Sequence, residues 1–474
     1  MNFTDLLLMR HELMLVLLAA IILIADLFFD EKGSGPKIRV LATGLFFINV
    51  IIGFLPAETG EMFGGMYRTS EMHILIKNIL NIGVFIVFLQ SDRWLAHEEN
   101  SFKTAEFYII MLSTLTGMNY MISSGDFLMF YIGLELATIP MAALAAYEVY
   151  KNKSAEAGIK LILSSALSSG VLLWGISMIY GTTGSVYFEE VKAAFTITGL
   201  SILGFIFFFA GMAFKISLVP FHLWTADVYE GSPIGVTSYL SVISKGASVT
   251  ILTIILFSVF PSIIEMWQNV IYIIAIITMT VGNLFAIRQD NIKRFLAFSS
   301  ISQAGYIMLG MIGGNQFGMA SILYYIMVYI FSNLAAFGVV AAISNATGKE
   351  KISDYNGLYK TNPMLSLTLM LAMFSLAGIP PVAGFFGKFF LFTAAAEKGF
   401  YVLVLIAVIN TIISLYYYLL VVKAMFINKS DTPIAYFKND WVTKLGLGLC
   451  IAGVVVMGFV GYVLEYINSI SFGV

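Results

Sequence analysis

Apolar runs of about twenty residues recur along the whole chain, and four of them hold an ionisable residue deep inside: Glu135, Lys215, Lys245 and Lys388. About twenty apolar residues is the length an α-helix needs to cross a bilayer. A carboxylate or ammonium at mid-bilayer depth costs about 2.5–3.5 kcal/mol on insertion scales. Such residues persist where they face a protein-lined polar path and carry ions or protons. The pattern predicts an all-α integral membrane protein that translocates ions or protons.

Composition removes the alternatives. Of 474 residues, 59% are hydrophobic and 11% charged, against roughly 25% charged in soluble domains. Lipid can solvate that much apolar surface, whereas a water-exposed fold cannot. The net charge is −2, with no basic patch of the kind nucleic acid requires. Cys450 stands alone, so an internal disulfide or a cysteine-ligated iron–sulfur site is excluded. His11, His73, His97 and His222 lie far apart in sequence. There is no H-E-x-x-H, Rossmann glycine fingerprint or P-loop. No cofactor or metal is expected in this chain, and a redox system served by it would carry its electrons through other subunits. Asp5 and Glu12 interrupt the positive start of a signal peptide, and the run to about Phe29 is too long for a signal core. It is read as the first span.

Scanning for such runs gives fourteen spans, centred on Leu18, Phe47, Phe85, Leu112, Leu136, Leu167, Ile206, Ile243, Ile276, Tyr306, Met327, Ala377, Ile409 and Val454. The odd-numbered connections hold sixteen Lys and Arg, among them Arg93, Lys151, Lys293 and Lys351. The even-numbered ones hold four: Arg68, Lys77, Lys192 and Lys398. Short loops rich in Lys and Arg stay on the cytoplasmic side. Both termini are therefore expected on the outer side. No linker separates soluble domains, so residues 1–474 form one membrane domain.

Two spans carry proline beside a buried lysine. The seventh reads GMAFKISLVPFHLW (Gly211–Trp224) and the twelfth SLAGIPPVAGFFGKFFL (Ser375–Leu391). Proline deletes a helical hydrogen bond and clashes with the preceding turn. The freed carbonyls must find partners or line a wet cavity. Broken helices at matching places in two halves mark transporters built from repeats, although a lone proline also serves as a simple kink.

Each candidate residue has two readings. Glu135 is either a neutral buried carboxyl at an interface or a carboxylate held by a neighbouring lysine, with Lys215 as its partner. Lys245 has Ser238, Ser241, Ser244 and Ser248 nearby, small polar residues that let helices approach and give water places to bind. Snorkelling is the alternative, disfavoured about twelve residues from either end. Lys388 lies closer to the Pro380–Pro381 break. His222, two residues after Pro220, suits a proton shuttle or a structural role. Asp26 and Lys423 read as interfacial anchors. Asp227 and Glu230 read as braces or caps for the following helix. Tyr416, Tyr417 and Tyr418 read as packing or as carriers of water, and Cys450 as inert core.

The runs FKISLVPFHLWTADVYEGSP (Phe214–Pro233), SVISKGAS (Ser241–Ser248), DNIKRFLAFSSISQAGYIMLG (Asp290–Gly310) and AGIPPVAGFFGKFFLF (Ala377–Phe392) resemble the antiporter-like subunits of respiratory complex I. Within that family PFHLWTADVYEGSP and Lys388 are most similar to the N type. M-type subunits have glutamate at the latter place, and the long lateral helix of the L type is missing. Relatives often have proline where this chain has Ala226. The resemblance implies discontinuous helices seven and twelve within two inverted five-helix repeats, about 105–260 and about 267–427. Three N-terminal helices would precede them and a last helix, about 444–467, would follow.

The same resemblance implies residue roles. Glu135 would modulate Lys215. Lys245 would be the central relay, with His222, and Lys388 the terminal exchange site. Quinone reduction elsewhere would bias the Glu135–Lys215 pair. NAD, FMN, iron–sulfur clusters and quinone would sit in other subunits. The implied partners are the antiporter-like subunit M, small subunits such as K and J, and lipids of a bacterial inner membrane. A subunit of a multi-component cation/proton antiporter and a mainly structural membrane-arm subunit are the competing functions.

Overall fold

The computed structural model describes residues 6–29 and 34–473, and nearly all of them are helical. The helices are α1 (Arg10–Phe28), α2 (Ser34–Gly53), α3 (Glu71–Leu95), α4 (Thr104–Ile122), α5 (Phe127–Ala145), α6 (Asn152–Thr183), α7 (Gly199–Ile216), α8 (Leu223–Gly231), α9 (Ile234–Ser258), α10 (Ile264–Ala286), α11 (Ile292–Gly313), α12 (Gln316–Thr347), α13 (Pro363–Ala377), α14 (Ala383–Glu397), α15 (Tyr401–Phe426), α16 (Trp441–Phe459) and α17 (Tyr462–Ile470). Among the described residues twelve helices are long and apolar enough to cross a membrane. Thr104–Ile122, which carries Glu106 and Asn119, falls outside that set, and Pro363–Ala377 is shorter. A two-stranded antiparallel hairpin, β1 (Gly60–Met62) and β2 (Tyr67–Thr69), qualifies the all-α expectation.

Burial sorts the helices by composition. α9 and α11 are rich in Ser, Gly and Ala and lie wholly inside the bundle. α1, α2, α6 and α15 each carry a long apolar stretch and lie on the outside, where lipid solvates it as well as protein would. Close crossings are built on small residues. Gly117 on α4 and Gly133 on α5 face each other backbone to backbone, leaving no room for a Cβ on either. Gly282 on α10 meets the backbone of Ser302 on α11 in the same way.

The two proline-bearing spans are broken as expected. α7 ends at Ile216, Ser217 takes a left-handed φ of 67°, and helix resumes at Leu223. α13 ends at Ala377, Gly378 takes a φ of 87°, and helix resumes at Ala383. A third irregularity was not foreseen: Leu240–Ser244 form a π-turn inside α9, immediately before Lys245. Such turns are frequent at functional sites.

Connections gather in two sets at opposite ends. In one, β2 bridges to Ser124, and Asp126 to Tyr187. In the other, Asn291 bridges to Lys351. Gly117→Leu is expected to force α4 and α5 apart, lowering the thermal unfolding midpoint of the detergent-solubilised protein by several degrees. Gly44→Ala is the control expected to leave the midpoint unchanged, because Gly44 is exposed and a Cβ there would meet nothing.

Candidate functional site

Where a helix breaks, its last carbonyls lose their usual donors. At the α13 end the Leu376 carbonyl accepts from Gln303 Nε2 at 3.1 Å, and the Ala377 carbonyl accepts from Lys388 Nζ at 3.1 Å. Lys388 lies on α14 and reaches back across the break. Its ammonium also sits 4.5 Å from the Tyr306 ring centre, a cation–π contact. At the α7 end Trp224 Nε1 donates to the Phe214 carbonyl at 3.1 Å, and Val219 N–H donates to Thr278 Oγ1 at 3.0 Å. Lys215 occupies the last turn of α7. Both lysines therefore stand at the C-terminal, negative end of a half-helix, where the helix dipole favours a cation.

Lys215 Nζ donates to Thr138 Oγ1 on α5, and Thr138 passes the bond on to the Leu134 carbonyl. Glu135 is three residues from Thr138, so carboxylate and ammonium occupy neighbouring turns. No carboxylate lies within 4.0 Å of Lys215, Lys245 or Lys388 among the described residues, so the Glu135–Lys215 pair is not closed here. Glu135 is half-buried beside an exposed stripe of Leu128, Ile132 and Ile139, with Oε1 buried and unpartnered. A small cavity beside Lys215 runs past Thr138, Ser165 and Trp224 to Ser244, next to Lys245.

Lys245 is 2% exposed. Its Nζ donates to Ser300 Oγ at 2.5 Å and to the Ser300 carbonyl at 3.2 Å. The serines beside it in sequence serve other groups. Ser248 and Ser238 bond carbonyls of their own helix, and Ser241 takes a bond from Asn333. The partner that matters is on α11, which sequence neighbours could not reveal. The buried Tyr229 and Tyr329 hydroxyls flank Ser300 and have no direct partner.

From Ser300 a polar stripe continues along α11. Ser299 Oγ and Tyr418 Oη are 2.5 Å apart, Gln303 Nε2 donates to Tyr418 Oη at 3.1 Å, and Tyr325 Oη donates to Gln303 Oε1. Ser299, Ser300, Gln303 and Tyr306 follow helical spacing, so one face of α11 runs from Lys245 to Lys388. The three adjacent tyrosines divide: Tyr417 and Tyr418 are buried polar groups of this network, whereas Tyr416 is exposed. His222 precedes α8 and bonds to none of the lysines, and its Nδ1 is buried without a partner. Cys450 is buried and takes a bond from Gln90.

Two assignments need correction. Lys77, counted among loop residues, is fully buried in α3 and paired with Glu12 at 2.6 Å. Asp227 and Glu230 do not cap the following helix. They tie α8 to α6 and α11 through Lys160, Lys153 and Arg294 at 2.6–3.0 Å. Burial alone would push these two carboxyls up, but bonds from Lys160 and Arg294 to Asp227, and from Lys153 and Arg294 to Glu230, hold both below the usual carboxylate range.

Comparison with known proteins places this geometry. A family described as NADH:quinone oxidoreductase/Mrp antiporter, TM, matches residues 124–414. The chain is 52% identical to the NADH-quinone oxidoreductase subunit N of Phocaeicola vulgatus, covering 99% of each chain. It is 50% identical to that of Azobacteroides pseudotrichonymphae, over 100% of this chain and 99% of the other. A chain of respiratory complex I from Thermus thermophilus superposes with a TM-score of 0.79 at 26% identity, covering 96% of this chain and 98% of that one. A chain of the Mrp complex from Dietzia shares the fold, with a TM-score of 0.85 at 19% identity, covering 99% of this chain and 96% of that one.

Carboxyls held low in the folded state stabilise it above their unfolded pKa, and that contribution is lost as pH falls through the folded value. Asp227→Asn is therefore expected to lower the thermal midpoint at neutral pH. The gap to the parent should close as pH drops below about 4, near the ordinary carboxyl range. Both carboxylates are partly exposed, so the gap should also shrink in high salt.

Proposed function

The chain belongs to the NADH-quinone oxidoreductase subunit N family, and on that premise we propose that it is a proton-translocating membrane-arm subunit of such a complex. Quinone reduction in other subunits would drive a buried axis of Glu135, Lys215, Lys245 and Lys388. The observation that carries this reading is the polar face of α11. It carries side chains able to donate and accept from Ser300, which holds Lys245, to Gln303, which bonds the carbonyl next to the one that holds Lys388.

In this reading Lys215 moves between Thr138 and the Glu135 carboxylate. Its proton passes along the Thr138–Ser244 cavity to Lys245 and from there along α11 to Lys388. His222 is a shuttle only in a conformation that turns it toward the cavity. Fourteen spans in two inverted five-helix repeats, about 105–260 and about 267–427, fit the two breaks. NAD, FMN, iron–sulfur clusters and quinone would belong to other subunits.

The outward stripe beside Glu135 is the surface we assign to a neighbouring subunit. A half-buried carboxyl against lipid is costly. The antiporter-like subunit M and small subunits such as K and J are the proposed neighbours, in a bacterial inner membrane with both termini outward. Purifying the chain in mild detergent and identifying what accompanies it tests this.

Lys245→Arg keeps the charge and the bond to Ser300, but guanidinium does not release its proton in proteins. It is expected to assemble and to reduce proton translocation into sealed vesicles severalfold, as Lys245→Ala does. Undiminished translocation in both would leave a structural role. Sodium transport independent of quinone reduction would favour the cation/proton antiporter.

A further inference from the structure

A second buried ionic cluster lies outside this axis. Lys77 Nζ pairs with Glu12 Oε1 at 2.6 Å, and both side chains are at most 1% exposed. The Tyr67 hydroxyl joins them, donating to Glu12 Oε2 at 3.0 Å and accepting from Lys77 at 3.0 Å. His11 and Asn78 bond each other alongside at 3.0 Å. Tyr120 of α4 is the other titratable neighbour.

A pair whose only task was to fasten α1 to α3 would need no polar neighbours leading away from it, and this one has a polar residue one turn away on α3 in each direction. One turn toward the hairpin stands His73, on the same face of α3 by i,i+4 spacing. Its Nδ1 is 2.7 Å from Ser70 Oγ, and its charged neighbours are Lys77 and Arg68. His73 borders a cavity of about 610 Å³ at the hairpin end, rimmed by Arg68, Glu189 and Lys192. One turn the other way stands Asn81, 1% exposed, with both amide atoms unpartnered. Asn119 on α4 is buried and unpartnered in the same way. Both helices pack against α9, and Leu80, beside Asn81, touches Gly246, the residue after Lys245. Buried amides with neither end bonded are rare and mark water sites.

The opposite end of the molecule has its own vestibule, about 420 Å³, bounded by Glu148, Lys153, Glu230, Lys293 and Glu350. α9, which carries Lys245, begins at this vestibule with Ile234 and Gly235.

We propose that Glu12, Lys77 and His73 form a second proton-carrying site, an outward half-channel joining Lys245 to the hairpin-side cavity through Asn81. The Lys77 ammonium gives a proton to the free ring nitrogen of His73. The imidazolium releases it into the cavity. The Lys77 amine regains a proton from Lys245 along a path past the Asn81 amide. Glu12 remains the counter-ion throughout.

This inference rests on proton translocation through Lys245, so Lys245→Ala is measured in parallel. The intact complex is purified, reconstituted in vesicles, and assayed for proton translocation at matched complex content. Asn81→Leu cuts the path and leaves the ion pair whole. Glu12→Met with Lys77→Met removes both charges together, a change often tolerated by the fold. Both are expected to reduce translocation below the parental rate. Translocation at the parental rate by Asn81→Leu overturns the proposal, whether or not the paired variant assembles. Translocation at the parental rate by Lys245→Ala overturns the underlying reading instead.

Discussion

Hydrogen-bonding groups released by a broken helix cannot be left bare at bilayer depth, and the arrangement of the charged axis follows from that constraint. The chain breaks two spans at proline and then spends side chains on the exposed carbonyls. Trp224, Gln303 and Lys388 all donate to backbone oxygens at those breaks. Lys215 reaches the same electrostatic environment by ending α7 rather than by crossing a gap. A break therefore does two things at once. It makes a negative end that tolerates an ammonium, and it recruits the polar side chains that extend the network away from that end.

The network is packed rather than open. α11 lies wholly inside the bundle, with its polar face covered by α9, α12, α13 and α15. On the proposed reading, protons would move along it by rearranging hydrogen bonds among Ser, Tyr and Gln. Cavities of about 420 and 610 Å³, both rimmed by charged residues, lie at the two ends. A small cavity separates Lys215 from Ser244.

Much of this was legible in the residues. A charge inside an apolar run stands out against its surroundings, so Glu135, Lys215, Lys245 and Lys388 were visible without a structure. Proline next to lysine announced both breaks. Lys245's true partner was not visible, because which helix lies opposite is a tertiary fact, and Ser300 is one serine among many. The α11 stripe was hidden because uncharged Ser, Gln and Tyr hardly disturb hydropathy. Glu12 and Lys77 were misread for a different reason. Each lies near a span end by counting, where a charge is ordinary, and only the packing of α1 on α3 with Tyr67 between them shows that both are buried.

The choice of partners separates the two kinds of buried lysine. Lys77 is held by a carboxylate in a closed pair, whereas Lys215, Lys245 and Lys388 rest on hydroxyls, a carbonyl and an aromatic face. A carboxylate can only accept, and it favours the ammonium over the amine, so Glu12 draws Lys77 back to the ammonium after any transfer. A hydroxyl donates or accepts, so Ser300 bonds Lys245 whether or not the lysine carries its extra proton. Neutral partners thus leave the protonation state of the central lysine free to respond to whatever charge moves nearby. Glu135, lying on the outward stripe three residues from the Thr138 that holds Lys215, is the one carboxylate of the axis placed to make that move from outside the chain.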